Sequence, residues 1–321
     1  MMAAVHQQPS FVSNAQNGED VVLWRALGHL PSGTYVEVGA NHPRDDSATR
    51  AFYDHGWSGL TVEPVRYYAE LHRQERPRDT LVEAAVTSTP GEKVLHVIPD
   101  GGLSTLLDDV SAEHARRGVA HEDVTVPGVR LADLVDQAGL AAGPVHFLLV
   151  DVEGAEAEVL ASIDLTHWRP WVLVVEATAP NSTEQTHGSW EPQVLAAGYE
   201  LCLFDGVSRF YVAREHADEL GPRLSYPACV LDAYVTRTTQ HLTAERTEAI
   251  RDAVHWRTRA LVGWADAVAS TAPAPTPAVG DDEEARRLRA ELVALRQTVS
   301  WRVTRPLRGA RRALGALRGA Q

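Results

Sequence analysis

Between residues 34 and 213, apolar runs of five or six residues alternate with amphipathic stretches, and this alternation restricts the fold more than any other feature. Seven runs read as strands: 34–38 (TYVEV), 59–63 (GLTVE), 81–86, 146–151 (HFLLVD), 171–176 (WVLVVE), 199–204 and 209–213. Helical spacing falls at 46–55, 67–74 and 155–163, the last with Ala155, Val159 and Ile163 on one face. Near-continuous apolar strands separated by helices predict an α/β fold whose parallel sheet is covered on both faces. The last two runs are joined by Asp205-Gly206-Val207-Ser208, a hairpin signal. The expectation is a Rossmann-like, mostly parallel seven-stranded sheet closed by an antiparallel hairpin, followed by C-terminal helices.

Residues 88–145 are too many for a simple crossover between strands three and four. They contain a candidate hairpin strand at 94–98 and a Gly101-Gly102 turn, and are expected to form part of a lid or substrate wall. Four segments follow: an α/β domain at 1–214, a helical extension at 215–269, a Pro/Ala and acidic linker at 270–284, and a basic tail at 285–321. The net charge is −13, yet the tail holds ten arginines against one acid, Glu291. An acidic body excludes a nucleic-acid-binding core. In the tail, Leu288, Leu292, Leu295 and Val299 fall at heptad spacing, which suits a partner helix or, with the arginines, an anionic lipid surface. No apolar run approaches the roughly 20 residues of a membrane span. The opening MMAAVHQQPS is not read as a signal peptide. Cys202 and Cys229 make no CxxC motif. The expected location is the cytoplasm, with the tail peripheral to the inner face of the cell membrane.

In a doubly wound sheet the ligand sits above the carboxyl end of the first strand, here VEVGANHP. Gly39 lets backbone approach a ligand closely, but no GxGxxG is present, and a pyrophosphate would need that turn. S-adenosylmethionine (SAM) has no phosphate and tolerates this loop, with Glu37 or Asn41 at its amino-acid end. Glu63 closes the second strand, where an acid accepts hydrogen bonds from ribose hydroxyls. Asp151 and Glu153 follow the fourth strand and Glu176 ends the fifth. Carboxylates at adjacent strand ends can deprotonate a hydroxyl or hold a divalent cation such as Mg²⁺. Asp151 and Glu153 can equally cap the following helix. His187, in the loop after Glu176, is a candidate base.

The segments SNAQNGEDVVLWRAL, YVEVGANHPRDDSATRAFYDHGWSGLTVEPV, GLSTL, VHFLLVDVEGAEAEVL, RPWVLVVEATAP and FDGVSRFYVA closely resemble the FkbM family of SAM-dependent methyltransferases over residues 11–235. The resemblance implies a class I methyltransferase fold and O-methylation of a sugar or polyketide hydroxyl. It implies that Glu37, Gly39, Asn41 and Glu63 bind SAM, that the segment Gln16-Asn17-Gly18-Glu19-Asp20 lies over the cofactor or substrate entrance, and that residues 151–156 line the pocket. Two positions depart from the family: Leu149, where lysine is common, and Ser208, where asparagine is common. The tail is similar to C-terminal segments of bacterial surface-glycan biosynthesis proteins, which favours a sugar or glycan acceptor and glycan-assembly partners. The alternatives are a non-catalytic SAM-binding scaffold recruited through the tail and, less favoured, a nicotinamide dehydrogenase.

Overall fold

The computed structural model describes residues 11–98, 102, 104–108, 110–111, 116, 120–271 and 282–298. They fall in two compact units, Met1–Arg246 and Thr247–Gln321.

The first unit opens with β1 (Val12–Ser13) and α1 (Glu19–Leu27), then β2 (Thr34–Val38), α2 (Arg50–Asp54), β3 (Ser58–Val62), α3 (Arg66–Glu75) and β4 (Thr80–Val82). Three further strands, β5 (Ala85–Val86), β6 (Gly91–Val97) and β7 (Glu122–Val129), precede α4 (Leu131–Gln137). The chain continues through β8 (Phe147–Val150), α5 (Glu156–Ala161), β9 (Val172–Glu176), α6 (Glu191–Ala196), β10 (Tyr199–Phe204), β11 (Ser208–Ala213), α7 (Ala217–Leu224) and β12 (Val235–Thr236). The central sheet runs β10-β11-β9-β8-β2-β3-β4. The pairs between β9, β8, β2, β3 and β4 are parallel, and β11 is antiparallel to both its neighbours.

The strand residues are apolar almost without break because the pleat feeds two cores. Val36, Val38, Leu60, Val62, Leu148, Val150, Leu173 and Val175 enter one face with α4 and α5. Tyr35, Phe147, Leu149, Val172, Val174, Phe210 and Val212 enter the other with Val22, Leu23, Ala26 and Leu27 of α1. The inner strands β2, β8 and β9 are therefore buried on both sides, which a period of two turns into a continuous apolar run.

Two expectations need correction. The run 81–86 is not one strand. The ladder with β3 ends at Val62 and Val82, and the chain then leaves to pair β5 with β7 in a separate sheet of order β5-β7-β6. The compact body also continues past residue 214. Leu220 and Leu224 of α7 sink into the core beside α1, β12 pairs with β1, and Arg25 donates to the Arg223 carbonyl and to both oxygens of Asp232.

The helix α8 (Arg237–Thr271) starts in the first unit; in the second it exposes Ile250, Val254, Leu261, Trp264 and Val268. The second unit also holds α9 (Asp282–Gln297), on which Leu288, Leu292 and Leu295 are exposed. Most of the 270–284 linker, Gly101, Val299 and the tail beyond it lie outside the described residues. Among the described residues, no helix is long and apolar enough to cross a membrane.

Candidate active site

The chain turns sharply after β2. Gly39 takes φ +83° and donates its N–H to the Val62 carbonyl at 3.0 Å. Asn41 follows with φ +47° and donates its N–H to Glu63 Oε2 at 2.7 Å. Val65 N–H donates to Glu63 Oε1, also at 2.7 Å. Glu63 thus ties the loop after β2 to the loop after β3, and each oxygen keeps a further lone pair. His72 supports this turn from below through a 2.9 Å contact between Nε2 and the Asn41 carbonyl. Burial, then the nearby Arg76, lowers its pKa to about 4, so the ring is neutral.

Two adjoining pockets share Gly39, Asn41, Tyr68, Gly102, Asp151 and Glu153. The narrower lies beyond Glu63 and has apolar walls from Val65, Ala84, Val86, Leu95 and Leu106. The insertion expected over the substrate therefore forms a wall of this slot, through β6 and residues 104 and 106. The wider pocket, about 560 Å³, is lined by Gln16, Glu19, Glu37, His42, Asp45, Asp46, Tyr67, Tyr68 and Asn181 among others. Both family departures, Leu149 and Ser208, lie on its surface with Val174. Among the described residues, six that line it are acids and none is Arg or Lys.

At the junction stand Asp151 and Glu153, and Glu176 joins them from behind the pocket lining: oxygens of the three lie within 4.8 Å of one another. Adjacent parallel strand ends bring them there: Asp151 follows β8, and Glu176 ends β9 opposite Ser208. Glu176 is only 8% exposed, and among the described residues the buried oxygens Glu176 Oε2 and Glu153 Oε2 have no hydrogen-bonding partner. Burial and then the Asp151 and Glu153 charges raise the Glu176 pKa strongly. Burial, then Asp151, raises Glu153 to about 9. Asp151 is exposed on the open pocket, and the partial desolvation there raises its pKa too. The Asp151–Glu176 hydrogen bond favours the proton on Glu176 and the charge on Asp151.

Neither Asp151 nor Glu153 caps α5, which has no side-chain cap; Glu156 instead holds the loop that leads into it. Its Oε1 accepts N–H bonds from Gly154 at 2.9 Å and Val152 at 3.4 Å at the start of α5. Glu19, in the segment that the resemblance places over the entrance, is buried against the wide pocket, and burial raises its pKa to about 8.

His187 does not join the cluster. Among the described residues it lines neither pocket. The loop after Glu176 folds back on itself through the Thr178–Gln185 bridge and leaves Asn181 facing the pocket. His187 Nε2 instead lies 3.7 Å from Glu191 Oε2. The other Glu191 oxygen accepts from Arg209 Nη1 at 2.7 Å and the Tyr211 hydroxyl at 2.8 Å.

These acids fix the pH response of the ligand-free chain. Burial is the first cause in each case and lifts Glu37, Glu63 and Glu156 to about 7, beside Glu19 and Glu153. Each binds its proton more tightly when folded than when unfolded, where it titrates near 4.5. The resulting stability is present below that value and is lost as pH rises through 7 to 9. Denaturation midpoints should therefore fall steadily between about pH 6.5 and 9. A flat or rising series would contradict this assignment.

A doubly wound sheet with its crevice above the first strand defines the class, a Rossmann-like α/β protein. Residues 37–201, just over half of the chain, match the family model of the methyltransferase FkbM domain. The chain belongs to the FkbM methyltransferase family. No curated relative matches the chain. Among solved structures it is similar to a TehB-like SAM-dependent methyltransferase from Corynebacterium glutamicum, at 10% identity, 63% of this chain, 90% of that one and a TM-score of 0.34. It is also similar to precorrin-6y C5,15-methyltransferase from Geobacter metallireducens, at 13% identity, 63% of this chain, 93% of that one and a TM-score of 0.33.

Proposed function

We propose that the chain is a SAM-dependent O-methyltransferase acting on a sugar hydroxyl in a glycan, glycolipid or glycosylated metabolite. The observation that carries this reading is the position of Glu63, beside an apolar slot, next to the Asp151–Glu153–Glu176 cluster. Membership of the FkbM family supports the methyl transfer.

The residues fit SAM. The apolar walls at Val65, Ala84, Leu95 and Leu106 suit a flat base, and the free lone pairs of Glu63 suit ribose hydroxyls. The orphaned Glu153 and Glu176 oxygens suit a cation, and an acid-lined pocket without Arg or Lys disfavours the pyrophosphate of a dinucleotide. Gln16, Glu37, Gly39 and Asn41 complete the surroundings. When bound, SAM supplies an electrophilic methyl group on a sulfonium.

The chain's own part is positioning and proton transfer. Leu149 and Val174 offer an apolar floor to the C–H face of a sugar, while Ser208 and Asn181 offer polar edges. Asp151, on which the pair's hydrogen bond favours the charge, accepts the hydroxyl proton as the acceptor oxygen gains the methyl group; Glu176 keeps its own proton and orients Asp151. A divalent cation such as Mg²⁺ belongs to the same reading: it would be held by Asp151, Glu153 and Glu176, displace the Glu176 proton and acidify the acceptor hydroxyl. Residues 285–321 would recruit glycan-assembly proteins or an anionic membrane surface, and a cytoplasmic location fits both.

Calorimetry of S-adenosylhomocysteine binding tests the donor site. Glu63→Ala should weaken binding by roughly 1–3 kcal/mol, the scale of a lost buried hydrogen-bonding partner. Unchanged affinity in the variant, or no binding by the native chain, would remove the donor assignment. Methyl transfer to sugar acceptors, compared in chelator and in Mg²⁺, then tests the cation.

A further inference from the structure

A second cluster of metal-ligating side chains lies on the insertion, among residues to which the methyl-transfer reading gives no part. His96 of β6 stands directly opposite Asp123 of β7 in the antiparallel ladder, and His121 lies two residues before Asp123. His121 immediately precedes β7, and its ring reaches the Asp123 carboxylate. Pairing brings His96 to the same carboxylate. Donor atoms of the three residues lie within 4.8 Å of one another.

The contacts converge on one oxygen. Asp123 Oδ1 lies 2.7 Å from His96 Nδ1 and 3.5 Å from His121 Nε2. The two imidazoles meet edge to face, with ring centres 5.3 Å apart. On the far side of the ring, His96 Nε2 lies 3.0 Å from Asp108 Oδ1. An imidazole that donates one N–H to a carboxylate is fixed in tautomer and orientation, with its other nitrogen free to bind a metal.

A doubly protonated His96 between two aspartates would account for its own contacts. It would not account for His121, whose nitrogen is too far from Asp123 for a good hydrogen bond. That separation matches two ligands of one tetrahedral ion, which at zinc bond lengths stand about 3.3 Å apart. An entering ion would open the 2.7 Å contact by about half an ångström.

We propose that His96 Nδ1, His121 Nε2 and an Asp123 carboxylate oxygen form a binding site for a borderline divalent transition ion, zinc above all. Two imidazoles and one carboxylate select such an ion over Mg²⁺ or Ca²⁺, which take oxygen donors. A solvent molecule would take the fourth position. The site's role is structural. The His96 backbone pairs in both directions with Thr105, and the Thr105 hydroxyl donates to the Glu153 carbonyl at 2.8 Å. An ion here would fix the β6–β7 hairpin against the segment that supplies Ser104 and Leu106 to the narrow pocket.

Zn²⁺ titration of the chelator-stripped full chain by calorimetry tests the proposal. The expected result is one Zn²⁺ per chain, with affinity reduced at least 10-fold in His96→Gln and in His121→Ala and unchanged in Glu153→Gln. His121 precedes the strand and leaves the ladder intact, so His121→Ala decides the matter if His96→Gln fails to fold. Absence of Zn²⁺ binding by the native chain overturns the proposal. So does binding that survives both histidine substitutions, or binding lost only in Glu153→Gln, which would place the ion among the pocket acids.

Discussion

Arg76→Met should lower the denaturant midpoint of the folded chain more than any other single side-chain replacement outside the site. Arg76 is 1% exposed, and its guanidinium is spent on partners from three separate stretches. Nε donates to Asp79 Oδ2 at 2.8 Å, and Nη2 donates to the Tyr35 hydroxyl and Thr49 Oγ1, each at 2.8 Å. Nη1 donates to Ser47 Oγ at 3.3 Å and lies 3.6 Å from Glu37 Oε2. Burial works against the charge on Arg76, but Tyr35, Glu37 and Asp79 outweigh it and hold its pKa above the usual value. Methionine fills similar volume but leaves Glu37 and Asp79 without their counter-charge in the interior. Breaking a buried pair from one side costs about 3–5 kcal/mol. Whole domains hold only about 5–15 kcal/mol, so the effect is large. Arg76→Lys should recover only part of it, because a point ammonium cannot serve donors spread around a planar fork. Urea unfolding followed by circular dichroism measures both variants. A loss below about 1 kcal/mol in Arg76→Met would mean that water replaces the guanidinium.

Arg76 also marks where reading from the sequence stops. The strands were legible because burial on both faces leaves a continuous apolar run that needs no knowledge of neighbours. The Asp205-Gly206 turn was legible because its constraint is local. The acid cluster was legible for a third reason: the ends of adjacent parallel strands are adjacent in space, so Asp151 and Glu176 meet whatever the loops do. Glu63 was found by the same logic, although its two N–H partners were not. Run 81–86 was misread because the change of sheet at Glu83 leaves no mark in an apolar stretch. His187 was misplaced because proximity in sequence to Glu176 was taken for proximity in space, and the loop turns back first. The partners of Arg76 and His96 come from up to 41 and 27 positions away, and single-chain periodicity carries no information about such pairings.

Gly39→Ala should abolish donor binding while the chain still folds with reduced stability. A Cβ at this position would stand 1.7 Å from the Asp151 carbonyl oxygen and 2.8 Å from its carbon. Both are backbone atoms, so no side chain can turn aside to make room. The Asp151 N–H bonds to the Val38 carbonyl at 3.0 Å, immediately before the clash, and the relief must come from parting β2 and β8 at their ends. That movement separates the Asn41–Glu63 tie from Asp151 and Glu153, the two halves of the proposed donor site. Holding alanine at φ +83° costs roughly 1–2 kcal/mol, and forcing a methyl into packed structure costs about 1–3 kcal/mol more. Gly56→Ala separates these two causes. Gly56 also has a positive φ, +91°, but nothing lies within 4 Å of its added Cβ. It should lose only the conformational part and bind S-adenosylhomocysteine as the native chain does. Gly39→Ala should bind it at least about 100-fold more weakly, a difference of about 2.7 kcal/mol. Native-like affinity in Gly39→Ala would show that the strand ends yield without disturbing the ligand, and the donor would then have to sit away from the junction of β2 and β8.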